Sequence, residues 1–319
     1  MAAVARDNGW AVVAGSDRQD RRLFILWGKL MTSNRSFAAL AMLGLLIAGA
    51  GAAASDAAAG TLDRLRQDKT LRIAYRQDAP PFSFQTGSAE PEGYIVDICR
   101  AVGKSLTQQL ALPSLNIVYV PVTVTDRFEA IQQGKADLLC EATTATLSRR
   151  EIVDFSLATF VDGASLLIRI DGPQSLQAMA GRKIGVLGDT TTEEALRNSL
   201  KEGDIAADVV PAKTHSEGLA MLDANDISAY FADRAILQSL LKESKDPKKL
   251  MLADNYLTVE PYALALPHGD EDFRLAVDRA LSHLYRDGEI TKIFAASFKG
   301  QMEPSGILKT LYLITGLPD

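Results

Sequence analysis

Residues 136–156 read ADLLCEATTATLSRREIVDFS, and this stretch joins a short apolar strand to a loop rich in hydrogen-bond donors. The strand is predicted over 138–140, and three threonines and two arginines follow it. An arginine offers a bidentate fork and a threonine a short neutral donor, and both suit a carboxylate. No paired nucleophile and base accompany them. We therefore expect this loop to bind a small anion or zwitterion and not to catalyse a reaction on it.

The sequence before this loop predicts an α/β unit. Residues 71–75 alternate as a strand does, and residues 93–109 carry the apolar period of a helix. A β-branched strand at 116–122 and a short helix at 127–133, ended by Gly134, precede the strand at 138–140. The order β-α-β-α-β predicts a three-layer lobe.

A second unit of the same kind begins near residue 165. Its predicted strands cover 165–170, 183–187, 207–210 and 227–231. Its predicted helices cover 175–180, 194–200, 216–224 and 234–242. A further strand at 262–266 and two helices at 270–287 and 289–298 come after it, which indicates that the chain returns to the first lobe.

These patterns predict a two-lobe α/β fold with a discontinuous first lobe. The first lobe is expected over 61–164 plus 259–300, the second over 165–258, and a C-terminal tail over 301–319. Two crossings, near 163–165 and 259–262, would form a double hinge. Because ligand pockets favour domain interfaces and the carboxyl ends of strands, we expect the site in the cleft between the lobes.

Composition limits the classes of function. Hydrophobic residues make up 47% of the 319 residues and charged residues 23%, which is typical of a globular protein with a buried core. The net charge of −6 argues against a nucleic-acid surface, which is normally basic. The three histidines have no metal-ligand spacing, so neither a metal nor another cofactor is expected.

Residues 1–54 are interpreted as an N-terminal extension and a cleaved signal peptide, with Met31 as the start. A short positive segment precedes an apolar core at 37–50 and small residues that suit cleavage, which predicts export to the periplasm. In that oxidising compartment Cys99 and Cys140 can form a disulfide. The alternative is two small buried apolar residues, and the sequence leaves both open.

Six segments together resemble the family 3 extracellular solute-binding proteins that serve polar amino-acid ABC transporters. They are LRIAYRQDAPPFSF (71–84), GYIVDICRAV (93–102), TDRFEAIQQGKADLL (125–139), TTATLSRREIVDFS (143–156), GRKIGVLGDTTTEEAL (181–196) and AYFADRAIL (229–237). The resemblance covers about residues 61–300. It implies the type II periplasmic-binding-protein fold, an amino-acid ligand, an inner-membrane ABC permease as partner, and a monomer. Within the family the chain looks most like the glutamate/aspartate-binding branch.

The resemblance also assigns residues to the two charged ends of an amino acid. It implies that Arg149 binds the ligand α-carboxylate with Thr144 beside it, and that Asp233 binds the α-ammonium. Thr190 and Thr191 open a helix that the family turns toward the ligand carboxylate. A helix N-terminus also suits an anion on physical grounds.

A second group of residues is assigned to the ligand side chain. In the glutamate/aspartate branch the positions of Arg76, Arg127 and His215 line that end of the pocket, where they would suit a second carboxylate. Phe82 and Phe84 could pack in the core, but family analogy places one of them near the ligand, and Phe82 is the one assigned.

Four positions depart from the family pattern. Val124 replaces a hydroxyl, Ala142 a Gly or Ser, Glu141 a small residue, and Asp189 a Gly. Glu141 or Asp189 would repel a dicarboxylate if it faced the cleft. The resemblance therefore implies an amino-acid binder without restricting the ligand to glutamate or aspartate.

Other classes of function are possible on this fold. An alternative is an enzyme of the cyclohexadienyl or arogenate dehydratase type, with Glu141 as the candidate general acid. A sensory module would need a signalling domain, and a cell-wall lytic enzyme would need an added catalytic domain. We expect a binding protein and not an enzyme.

Overall fold

The computed structural model describes residues 60–300 and 302–319, and the predicted signal peptide and the start at Met31 lie outside them. The strands of the described part are β1 (Thr70–Tyr75), β2 (Asp78–Ala79), β3 (Ser83–Phe84), β4 (Asn116–Pro121), β5 (Leu138–Leu139), β6 (Asp154–Asp162), β7 (Ala164–Arg169), β8 (Lys183–Leu187), β9 (Asp208–Ala212), β10 (Ala229–Asp233), β11 (Leu250–Leu252) and β12 (Glu260–Leu266). The α-helices of the same part are α1 (Thr61–Asp68), α2 (Tyr94–Gln109), α3 (Arg127–Gln132), α4 (Thr191–Glu202), α5 (His215–Asp223), α6 (Arg234–Glu243), α7 (Glu271–Arg286), α8 (Glu289–Ser297) and α9 (Gly306–Thr315).

The strands form two five-stranded sheets and a small hairpin. The first sheet has the order β4-β1-β5-β12-β6, and the second has the order β11-β7-β10-β8-β9. In the first sheet β1 is parallel to β4 and β5, whereas β12 is antiparallel to β5 and β6. In the second sheet β8 is parallel to β9 and β10, whereas β7 is antiparallel to β10 and β11.

The chain passes between the two sheets at two neighbouring places. Strand β6 ends at Asp162 in the first sheet, and β7 begins at Ala164 in the second, so that only Gly163 separates them. The return path ends at Glu260, which pairs with Asp162 in the first sheet. A Cβ atom on Gly163 would lie 2.4 Å from the carbonyl oxygen of Thr258, so the two paths can run this close only if residue 163 is a glycine.

Helix α2 shows how local pattern leads to packing. Its apolar residues recur at helical spacing, and the whole stripe is buried against the first sheet and its neighbours; the stripe comprises Ile95, Ile98, Cys99, Val102 and Leu106. Cys99 on this helix forms a disulfide with Cys140, which directly follows β5. The structure thus adopts the disulfide and not the alternative of two separate buried thiols.

Several elements differ from the sequence-based expectation. Strand β6 runs over nine residues where no full strand is predicted, and residues 177–179 form a 3₁₀ turn where a helix is predicted. The expected tail contains α9, whose Leu308 and Tyr312 are buried. The hydroxyl of Tyr312 is hydrogen-bonded to that of Tyr94 on α2, so this helix packs onto the elements around the first sheet. Within the described part, no helix combines the length and apolar character needed to cross a membrane.

Candidate ligand-binding site

A cavity receives side chains from the elements of both sheets. Eight of the nine residues assigned to the ligand from sequence line it: Arg76, Arg127, Thr144, Arg149, Thr190, Thr191, His215 and Asp233. Glu141 and Ala142, two of the departures from the family pattern, line it as well. The cavity therefore combines several charges of both signs in a largely buried space.

Phe82 is the one assigned residue that does not line the cavity. Its side chain is fully buried and packs edge-on against Phe160 and Tyr262 in an aromatic core cluster. The prediction that it contacts the ligand is therefore not supported. An aromatic residue after two prolines fits a core position equally well, because burial of its large apolar surface is sufficient reason for its presence.

Arg149 and Thr144 come from the loop that follows β5. Nη1 of Arg149 donates a hydrogen bond of 2.7 Å to the carbonyl oxygen of Thr144, and the guanidinium lies over the ring of Phe128. Burial, together with the positive charge of Arg127, lowers the pKa of Arg149 to about 10. The guanidinium therefore keeps its charge at neutral pH, and a half-buried cation in such a cavity is stabilised by an anionic partner.

Asp233 ends β10 in the second sheet. Its carboxylate accepts hydrogen bonds from the hydroxyl of Tyr262 in the first sheet and from Thr192 on α4. Although Asp233 precedes α6, its side chain makes no capping hydrogen bond to that helix. Burial, with added repulsion from Asp162 and Glu260, raises the pKa of Asp233 to about 8. Its side chain is thus committed to the cavity, and a cationic group there would stabilise its charged form.

Two carboxylates beside Asp233, the buried Glu260 and the half-buried Asp162, are absent from the sequence-based assignments. Glu260 accepts hydrogen bonds from Thr144 (2.6 Å) and Thr191 (3.2 Å). Asp162 accepts hydrogen bonds from the backbone N–H groups of Gly163 and Ala235, and burial raises its pKa to about 6. Asp162 is the last residue of β6 and Glu260 the first of β12, and only the pairing of these two strands brings them together.

The N-terminus of α4 closes one side of the cavity. Thr190 is the N-cap, and its hydroxyl accepts a hydrogen bond from the backbone N–H of Glu193. The hydroxyl oxygen of Thr191 lies 3.4 Å from that of Thr144 and 3.2 Å from Oε2 of Glu260, so its one proton is shared between these two acceptors. Helix α4 follows β8 of the second sheet, whereas Thr144 follows β5 and Glu260 begins β12 of the first sheet. These contacts therefore connect the two halves across the cavity.

Asp78 connects Arg76 of one half to His215 of the other. Arg76 follows β1, and its Nε and Nη2 atoms donate hydrogen bonds to Oδ1 of Asp78 at 3.0 and 2.5 Å. Oδ2 of Asp78 accepts a 3.0 Å hydrogen bond from the backbone N–H of His215, the first residue of α5. Burial lowers the pKa of His215 to about 4, despite the opposing charge of Asp78, so its imidazole is neutral at physiological pH.

Arg127 and Glu141 are paired in the cavity wall. Nε of Arg127 lies 3.4 Å from Oε1 of Glu141, and Nη1 of Arg76 lies 3.9 Å from Oε2 of the same carboxylate. Glu141 also accepts a 2.5 Å hydrogen bond from Thr143. Of the other departures, Asp189 is exposed, with a left-handed φ of 57° at the position where the family has glycine, and it does not line the cavity.

With two five-stranded sheets and a charged cavity lined from the elements of both, the chain has the architecture of a two-sheet α/β binding protein. Residues 71–300 match the family model of the bacterial extracellular solute-binding proteins, family 3, and the chain belongs to that family. Its fold is the type II periplasmic-binding-protein fold, as predicted.

Similar proteins agree with this assignment. The L-glutamate/L-aspartate-binding protein of Pseudomonas aeruginosa is 28% identical over 79% of this chain and 84% of its own length. The glutamate/aspartate import solute-binding protein of Escherichia coli is 27% identical over 84% of this chain and 90% of its own length. Among solved structures, an ancestral amino acid-binding protein, a precursor of cyclohexadienyl dehydratase, has a TM-score of 0.65 at 24% identity, over 75% of this chain and 100% of that chain.

Proposed function

We propose that this protein binds a polar L-amino acid in the cavity between its two halves and delivers it to an inner-membrane ABC permease. The observation that carries the proposal is that a guanidinium from one sheet's elements and a carboxylate from the other's line the same cavity. Arg149 suits the α-carboxylate, and Asp233 suits the α-ammonium. The names of the two relatives, which concern glutamate and aspartate, support the amino-acid class.

The proposal includes closure around the ligand. We assign residues 61–164 and 259–300 to one lobe and residues 165–258 to the other, with the hinge at the two neighbouring crossings. The contacts of Thr191 with Thr144 and Glu260 belong to the closed arrangement. A zwitterion can contact Arg149 and Asp233 at the same time only when the lobes are closed. Its binding free energy is therefore more favourable in the closed state, and binding shifts the equilibrium toward closure.

The protein is proposed to act as a periplasmic monomer after removal of its signal peptide. The disulfide between Cys99 and Cys140 supports an oxidising compartment, because such bonds rarely persist in the cytosol. The dehydratase alternative has less support. Glu141 accepts a hydrogen bond from Thr143 and forms ion pairs with Arg76 and Arg127. These are the contacts of a carboxylate and not of a general acid that donates a proton.

Calorimetric titration of Arg149→Ala tests the proposal. Removal of one partner of a desolvated charge pair costs about 2–5 kcal/mol, so the affinity for the preferred amino acid should fall at least about 30-fold. Arg150→Ala is the matched control, because Arg150 is the next residue, is exposed, and lies over the ring of Phe155 outside the cavity. Near-unchanged affinity in folded Arg149→Ala would refute the assignment.

A further inference from the structure

The cavity contains a second set of charges beside Arg149 and Asp233. Arg76, Arg127 and Glu141 line it together, and all three are at most 4% exposed. If Arg149 and Asp233 hold the two charges of the amino-acid backbone, as proposed above, this second set is left to contact the ligand side chain. Its charge and its hydrogen-bonding capacity then define the ligand class.

Asp78, which lies behind Arg76 and does not line the cavity, balances the charges of this second set. Arg76 is hydrogen-bonded to Asp78, and Arg127 lies 3.4 Å from Glu141, so two guanidinium groups face two carboxylates. His215 lines the same cavity and is neutral, because burial keeps its pKa low. A ligand carboxylate would therefore add an unbalanced negative charge in a buried space and lie close to Glu141. Like charges brought together at such a site weaken binding strongly.

The hydrogen bonds of this set are incomplete. Nε of Arg127 is fully buried and has no hydrogen-bond acceptor among the described residues, although Oε1 of Glu141 lies 3.4 Å away. A buried donor without a partner costs free energy, and a ligand oxygen placed there would remove that cost. Glu141, in turn, is an acceptor that a ligand N–H could use. The cavity thus lacks a hydrogen-bond acceptor for Arg127, and it presents the carboxylate of Glu141 as an acceptor for a ligand N–H group.

A carboxamide supplies both groups. Its carbonyl oxygen accepts from a guanidinium, and its NH₂ group donates to a carboxylate, whereas a ligand carboxylate can only accept. We propose that Glu141 makes this cavity selective for an amino acid with a carboxamide side chain, glutamine or asparagine, over the corresponding dicarboxylic amino acid. This inference rests on the proposed function, and it assigns a specificity role to a residue that departs from the family pattern.

Titration calorimetry of the full chain with glutamine, asparagine, glutamate and aspartate tests this inference. The wild type should bind one of the amides at least about tenfold more tightly than the acid of the same length. The reason is that a site which accepts a hydrogen bond from a ligand N–H group rejects an analogue without that group. In Glu141→Gln the ratio of acid to amide affinity should rise at least about tenfold, because the repelling charge is gone. Glu194→Gln, the same change at an exposed position of α4, should leave the ratio unchanged.

The outcomes separate the two proposals. Wild-type preference for an acid, or for any amino acid without a carboxamide, overturns the selectivity proposal and leaves amino-acid binding in place. An unchanged ratio in Glu141→Gln, with a melting temperature close to that of the wild type, also overturns it. Absence of binding to all twenty amino acids overturns the proposed function and this inference together.

Discussion

Binding of an amino acid should release a proton from Asp233 at neutral pH. The carboxyl is buried among Asp162, Glu260 and Tyr262, and its pKa is raised to about 8. With that pKa it is about 90% protonated at pH 7 in the closed arrangement without ligand. A ligand ammonium placed against it stabilises the carboxylate and lowers the pKa, so the proton leaves as the ligand binds.

The size and the sign of the effect follow from that pKa. About 0.9 proton should be released per ligand bound at pH 7. Because the ligand-free protein holds the proton and the complex does not, affinity must increase as the pH rises. The ionised fraction grows about eightfold between pH 6.5 and 7.5, and the association constant should grow by the same factor.

The neighbouring titratable groups contribute little within this window. The pKa of His215 is lowered to about 4 and that of Arg149 to about 10, so neither group changes charge between pH 6.5 and 7.5. The pKa of Asp162 is raised to about 6, so it adds to the pH dependence mainly below the window. The expected slope in the window therefore belongs chiefly to Asp233.

Calorimetric titration at pH 7 in phosphate and in Tris measures the proton directly. The observed enthalpy should differ between these buffers in proportion to their ionisation enthalpies and to the number of protons released. In Asp233→Asn the release should vanish, and the weaker residual affinity should no longer rise with pH. Tight wild-type binding without proton release, or with affinity that falls as the pH rises, would show that Asp233 does not receive the ligand ammonium.

Two further predictions concern stability. Replacement of Cys99 and Cys140 by serine should lower the free energy of unfolding, measured by urea denaturation, by about 2–4 kcal/mol, because the unfolded chain loses a cross-link that closes a loop. Reduction of the wild type should lower the free energy of unfolding to the same extent. An unchanged urea midpoint would contradict this prediction. Gly218→Ala should cost about 1–3 kcal/mol, because the new Cβ atom would lie 2.1 Å from the ring of Tyr230. Ser216→Ala, an exposed change on the same helix, should stay within about 0.5 kcal/mol, and equal effects of the two substitutions would argue against the collision.

Local sequence patterns predict most of the elements but not all of them. The apolar period of helix α2 and the alternation of β1 are properties of short segments, so they can be recognised without knowledge of the fold. Strand β6 is only partly recognisable, because it follows directly from the arginine loop and its polar and apolar residues do not alternate strictly. Helix α9 is not predicted, because its stability depends on packing against distant residues such as Tyr94, which its own sequence does not reveal.

The fold class and the residue types of the candidate site follow from local features, namely strand and helix periodicity and the run of threonines and arginines. Which charges lie next to one another depends on the tertiary structure. It placed Phe82 in the core, brought Glu260 beside Asp162 through the pairing of β6 with β12, and set Glu141 next to Arg127. The physical reason is that burial and charge balance depend on groups from distant parts of the chain, and these two quantities control both the protonation of Asp233 and the ligand that the cavity can accept.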